Sequence, residues 1–131
     1  DEAMVKAERA IVIMIIIQND ILSYHKENVG AEGGHFPFNL VSVMRTAEPG
    51  LSQQAAYDRA DELLREQFRE YYVARSCVPS WGWEIDKVVH MWFEALERHV
   101  KANMNWSFVT ERYFGKEAER VRRLRRTVSY D

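Results

Sequence analysis

Cysteine is nearly missing from this 131-residue chain, and Cys77 is the only one. One thiol makes no internal disulfide, so the expected compartment is reducing and cytoplasmic. Cys77 itself reads as a small buried apolar residue. Proline occurs three times, and Pro37, Pro49 and Pro79 each stand where a helical stretch begins or breaks. The longest apolar run, Ala10 to Ile17, falls far short of the roughly 20 residues that span a bilayer. No signal peptide is evident, and no membrane association is expected. Neither sign of charge is in excess: the formal net charge is −2, which implies no polyanionic partner. Methionine is lacking at position 1, and the first residues lead into an amphipathic pattern with no evident cap. The expectation is a chain that begins inside something larger, or one that was cut.

What is present suits one soluble domain: 47% hydrophobic and 29% charged residues. Residues 3–27 are ambiguous by local propensity. Ile11-Val12-Ile13-Met14-Ile15-Ile16-Ile17 is β-branched and continuously apolar, as in a buried strand. Its flanks, Ala3 to Ala10 and Ile21 to Glu27, are good helix formers, with no Gly or Pro between. A helix apolar all round is a central, buried one, and that is the expectation here. Residues 28–36 carry three glycines and read as a loop, either a connector or a lid beside Glu27. A short helix is expected over about 38–46, ended by Glu48-Pro49-Gly50. Ser52 is the expected N-cap of a helix running to about Val78, with Tyr57, Ala60, Leu64, Phe68 and Tyr71 on its inner face. Asp58, Asp61 and Glu62 alternate with arginines and read as a solvated face, not a metal box. A further helix is expected from Ser80 or Trp81 to about Asn103, with Ile85, Val89, Trp92, Leu96 and Val100 as its core stripe. His90 and His99 lie nine apart, point in different directions, and read as structural or surface residues. Asn103 to Phe114 should form a turn and a short helix. The basic tail 116–131 has a weak seam of Val121, Leu124 and Val128. It reads as a frayed helix or a flap over a pocket, and a nucleic-acid role is disfavoured because almost no stacking aromatics accompany its arginines.

One stretch carries more chemistry than the rest. In Gln18-Asn19-Asp20-Ile21-Leu22-Ser23-Tyr24-His25-Lys26-Glu27, the residues Asn19, Ser23 and Glu27 recur at four-residue steps. On a helix each step advances by about 40°, so the three share one face. Each ends in oxygen: an amide carbonyl, a hydroxyl, a carboxylate. A stripe of hard oxygens suits Mg²⁺, which takes one or two charged ligands and keeps other positions for water and phosphate. A capped or solvated helix end is the plain alternative.

This stretch resembles the second metal-binding motif of class I terpene synthases, N-D-x-x-S-x-x-K-E. Asn105-Trp106-Ser107-Phe108-Val109-Thr110-Glu111-Arg112-Tyr113-Phe114-Gly115 resembles the Trp-Ser…Arg-Tyr signature that follows it in the same family. Val78-Pro79-Ser80-Trp81-Gly82 with Glu84-Ile85-Asp86 is similar to fungal sesquiterpene synthases in particular. The likeness runs from about residue 3 to residue 115. At Phe38-Asn39 the chain departs from the fungal pattern, which has a His-Asn pair.

The resemblance implies an all-α fold: the C-terminal half of the class I terpenoid synthase bundle, about five helices over 1–115. It implies a lyase that ionises a prenyl diphosphate, such as farnesyl diphosphate, to a cyclic sesquiterpene with release of diphosphate. Three Mg²⁺ per full site are implied, one of them held here by Asn19, Ser23 and Glu27. Lys26, Arg112 and Tyr113 would bind the diphosphate, and Trp106 would offer an aromatic wall to the carbocation. The family also carries an aspartate-rich box and an upstream arginine, neither of which lies in these 131 residues. The N-terminal half is therefore the expected partner, and the chain alone is expected to be inactive. The rival reading is a catalytically dead helical module that binds a partner. Isoprenyl chain elongation is disfavoured, because that chemistry uses a second aspartate-rich box where this chain has Asn19, Ser23 and Glu27.

Overall fold

A computed structural model describes residues 1–29 and 38–124. All regular structure among them is helical: α1 (Glu2–Val29), α2 (Leu40–Ala47), α3 (Gln53–Ser76), α4 (Trp83–Val109), α5 (Glu111–Phe114), a 3-10 turn (Gly115–Glu117) and α6 (Ala118–Leu124). The all-α expectation holds. The loop expected at 28–36 lies outside the described residues except for Asn28 and Val29, which belong to α1.

The β-branched run of α1 is helical because one of its faces meets two other helices. Ala7, Ala10, Ile11 and Met14 are buried with Tyr71 and Ala74 of α3 and Phe93 and Val100 of α4. Three- and four-residue spacing of the buried positions is helical, and tertiary packing overrides local strand propensity. Asp1 corrects the uncapped start: its Oδ1 accepts from Ala3 N at 2.9 Å and Met4 N at 3.1 Å, as an N-cap aspartate does. The expectation of burial all round is also corrected. Val5, Val12 and Ile16 are 62%, 50% and 52% exposed. At steps of seven and four they share one face of α1, on which the exposed Glu8 and Arg9 lie between Val5 and Val12.

Ser52 caps α3 as expected, accepting from Ala55 N at 3.1 Å. Tyr71 of its inner face is buried, whereas Phe68 is exposed. The acidic face is solvated: Asp61 pairs with Arg65 at 2.8 Å one turn on. Cys77, expected inside, is exposed just past the end of α3, where the chain has left the packed helix.

Helix α4 begins later and ends later than the sequence suggests. Ser80 Oγ and Trp81 N donate to the two oxygens of Asp86 at 2.6 and 2.8 Å, so both stay outside the helix. Gly82 holds φ +98° at the cap, a conformation costly for a residue with Cβ. At the other end no turn forms at Asn103. The helix runs on to Val109, with Ser107 Oγ bonded back to Asn103 O at 2.8 Å. Phe93 is the buried anchor of α4, while Ile85 is exposed and leaves the expected core stripe. Val88, Met91, Ala95, Ala102, Trp106 and Val109 are also exposed and fall on one face at helical spacing. His90 and His99 are exposed, as expected. Ala118 and Val121 are buried, so the first part of the basic tail folds as α6 against α4. Leu124 as a side chain, Val128 and the rest of the tail lie outside the described residues.

Tyr71 joins α3 to α4. Its hydroxyl donates to Glu97 Oε1 at 2.8 Å, and Arg75 pairs with the same carboxylate while lying over the Phe93 ring at 5.3 Å. Burial, then the Glu97 hydrogen bond and negative charge, raise the Tyr71 pKa above its ordinary 10.0. A raised folded-state pKa gives stability that is full below the unfolded value and is lost as pH rises beyond it. Thermal melts are therefore expected to show a loss of stability above about pH 10 that is smaller in Tyr71→Phe than in the parent chain.

Candidate metal and diphosphate site

The polar end of α1 is built by a change of residue type on one helical face. Asn19, Ser23 and Glu27 continue the line of Val5, Val12 and Ile16, since steps of seven and four keep a helical face. Below the oxygens the face carries Val12 and Ile16, with exposed Glu8 and Arg9 between Val12 and Val5; above Ile16 it carries three oxygen-bearing side chains. Ser23 is buried, and Asn19 and Glu27 are half-buried.

The distant signature comes to the same place. Tyr113 Oη donates to Asn19 Oδ1 at 2.9 Å, across 94 positions of sequence. Two local features make this reach. Helix α4 carries the chain to Val109, and Thr110 then caps α5, its Oγ1 accepting from Arg112 N at 3.3 Å. The turn between the two helices aims Tyr113 back at α1. Asn103 adds a second tie, Nδ2 to Gln18 Oε1 at 3.4 Å.

Trp106 stands edge-on to Tyr113, ring centroids 6.1 Å apart at 86°. Arg112 lies against the same ring, its guanidinium carbon 5.7 Å from the centroid. Arg112 and Trp106 are both exposed. Lys26 is exposed two turns beyond Asn19 on the same side of α1. Every residue expected from the sequence thus lies on α1 near its polar end or in the α4–α5 corner that Tyr113 joins to it.

Sequence reasoning missed two participants. Asp20 Oδ2 accepts from Leu40 N at 2.8 Å, tying α1 to the start of α2. Burial raises its carboxyl above the usual range, against the lowering effect of that backbone donor. Asn39 is buried, and its Nδ2 lies 2.8 Å from Asp20 O, 2.9 Å from Glu27 Oε2 and 3.4 Å from Ser23 Oγ. Its Oδ1 caps α2 by accepting from Val41 N at 2.9 Å. An asparagine ahead of the apolar run Leu40-Val41 is a cap signal; its second task, reaching back to α1, has no local signature.

The donor set fits Mg²⁺ chemically. All three groups are hard oxygens, and only Glu27 carries charge, which suits an ion that keeps waters and phosphate in its shell. A carboxylate has about four lone-pair sites, and a hydroxyl or amide carbonyl two, so the bonds from Asn39 to Glu27 and Ser23 and from Tyr113 to Asn19 leave acceptor capacity for a cation. Among the described residues no group of three or more His, Cys, Asp or Glu side chains is placed to hold a metal ion, and the α1 set has only one such residue, Glu27. No described helix is long and apolar enough to cross a membrane.

Comparison with known proteins places the chain in a family. Residues 1–70 match the family model described as terpene synthase family 2, C-terminal metal binding. A silphinene synthase of Penicillium patulum is 36% identical over 117 residues, covering 88% of this chain and 30% of that protein. Sesquiterpene synthase 3 of Postia placenta is 40% identical over 106 residues, covering 80% of this chain and 27% of the relative. Sesquiterpene synthase Agr1 of Cyclocybe aegerita is 34% identical over 112 residues, covering 86% and 31%. The chain therefore spans about 30% of the length of these relatives, less than the half expected from the sequence.

Proposed function

The chain belongs to the terpene synthase family, and from that premise we propose that it supplies one wall of a Mg²⁺-dependent sesquiterpene cyclase. The proposed reaction is ionisation of a prenyl diphosphate, most simply farnesyl diphosphate, with release of diphosphate and cyclisation of the cation. The observation that carries the reading is the Tyr113–Asn19 hydrogen bond of 2.9 Å, which joins the oxygen stripe to the arginine–tyrosine pair.

In this reading Asn19, Ser23 and Glu27 hold one Mg²⁺, whose chemistry is Lewis-acid stabilisation of the departing diphosphate. Arg112 presents a planar fork of donors to phosphate oxygens. Tyr113 has one O–H to give: it goes to Asn19 here and would pass to the same anion once a cation occupies Asn19 Oδ1, and Lys26 adds a mobile point charge. Hydrocarbon and cation need a dry, apolar wall. Val12 and Ile16 of α1 lead up to the oxygens, and Ala102 of α4 leads up to Trp106, so the stretches nearest the site supply such a wall. The indole face of Trp106 stabilises a cation by about 2 kcal/mol when desolvated. The reaction is placed in a reducing, cytoplasmic compartment, where one exposed thiol stays reduced.

The aspartate-rich box that completes such a site is not among these 131 residues. The remaining metal ligands are then supplied by protein outside these 131 residues, which also closes the pocket that the two faces line. Incubated alone with Mg²⁺ and farnesyl diphosphate, the 131-residue chain is expected to release no diphosphate above background. Appreciable release would contradict the division of the site proposed here.

A further inference from the structure

We infer that Asn39 is a positioning residue for metal binding, which holds Glu27 and Ser23 in the arrangement that receives the cation. The inference rests on the reading of Asn19, Ser23 and Glu27 as a metal stripe. It is carried by the juxtaposition of one buried amide with two of those three side chains.

Asn39 is 1% exposed, so each of its polar atoms needs a partner inside the protein. The orientation of its amide follows from what surrounds it. Nδ2 faces three acceptors: the carbonyl of Asp20, the carboxylate of Glu27 and the hydroxyl oxygen of Ser23. Oδ1 faces a donor, Val41 N. Flipping the amide would set oxygen against oxygen on one side and N–H against N–H on the other. The amide has two protons. They serve the two short contacts, Asp20 O at 2.8 Å and Glu27 Oε2 at 2.9 Å. Ser23 Oγ, at 3.4 Å, is held more weakly and keeps its lone pairs for another partner.

The chemistry of the donor matters. A lysine or arginine in this place would neutralise Glu27 and compete with a divalent cation for it. A neutral amide orients the carboxylate and leaves its full negative charge. One carboxylate oxygen is fixed by Asn39, and the other is set for the cation. The anchoring is rigid because the same side chain caps α2, and Asp20 Oδ2 binds the next backbone N–H, that of Leu40. Hydrogen-bonding partners that orient metal ligands typically contribute 10- to 100-fold in metal affinity.

Asn39→Ser separates positioning from capping. Serine is as good an N-cap as asparagine, but its side chain is too short to span from the cap to Glu27. Asn39→Ala removes both functions. The full chain and its variants are titrated with Mn²⁺ in the presence of inorganic diphosphate, and free Mn²⁺ is read by electron paramagnetic resonance. Thermal melts of the same samples are recorded. Both variants are expected to lose about tenfold or more in Mn²⁺ affinity, while Asn39→Ala melts at a lower temperature than Asn39→Ser. Parent-like Mn²⁺ affinity in Asn39→Ser, alongside lost affinity in Glu27→Gln, overturns the role of Asn39 and leaves the metal stripe standing. Parent-like affinity in Glu27→Gln, or no Mn²⁺ binding by the parent, overturns the stripe and the inference with it.

Discussion

Glu27→Gln in a complete synthase containing this chain is expected to lower Mg²⁺-dependent diphosphate release by about 10²- to 10³-fold. Glu27 is the sole charge in the proposed ligand stripe. Lewis-acid stabilisation of the leaving group contributes several kcal/mol, and each 1.36 kcal/mol is a factor of ten in rate. Folding should barely notice the change. Glu27 is half-buried, and a glutamine amide oxygen can still accept from Asn39 Nδ2, which lies 2.9 Å from Glu27 Oε2 in the parent. The expected cost in stability is about 1 kcal/mol or less, since only the charge assistance of one hydrogen bond is lost. Turnover as a function of Mg²⁺, together with a melting curve, checks both halves. Unchanged Mg²⁺ dependence would remove Glu27 from the metal site.

Arg112→Ala should show a similar split by a different route. Arg112 is exposed, and its guanidinium rests on the Tyr113 ring. Exposed substitutions away from packed features usually change stability by less than about 0.5 kcal/mol, so the melting temperature should hold. Loss of one preorganised donor to a developing anion typically costs about 10²- to 10³-fold in rate. Arg112→Lys should recover only part of it, because an ammonium cannot present a two-point fork. Steady-state kinetics of the three proteins test this. A fully active Arg112→Lys would mean that a point charge suffices, and a lowered melting temperature in Arg112→Ala would make its role structural.

Those expectations began as sequence patterns, and it is instructive which patterns survived folding. The Asn19–Ser23–Glu27 spacing was readable because a helix converts four-residue steps into one face with no help from elsewhere. The Arg112–Tyr113 pair was readable only through family likeness, since nothing local says that a tyrosine will bond a residue 94 positions away. The end of α4 was misjudged for a related reason. Asn103 looks like a stop, but its side chain is engaged with Gln18 of α1 and the helix continues past it to Val109. Burial was the least legible property. Val89, Trp92, Leu96 and Val100 pack in or against the core as their spacing suggests, with Phe93 on the same face, whereas Ile85 has the right spacing and is exposed. Hydrophobicity marks a face as apolar but not what covers it. On α1 and α4 the uncovered faces lead to the candidate site. Cys77 illustrates the same gap, because a thiol carries no pattern that tells inside from outside. The short helix expected from the sequence takes in Asn39, which instead caps it, and the contacts of Asn39 to Glu27 and Ser23 exist only once α2 has folded back on α1.

The central claim is that three oxygens of α1 hold a divalent cation facing the arginine–tyrosine pair. It is tested most directly by diffraction from crystals of the protein soaked with Mn²⁺ and inorganic diphosphate. An anomalous peak within about 2.3 Å of Asn19 Oδ1, Ser23 Oγ and a Glu27 oxygen is predicted, with diphosphate oxygens between that ion and Arg112. The distance follows from the short oxygen bonds of small divalent ions. Strong manganese density elsewhere on the chain, with none beside these residues, would contradict it.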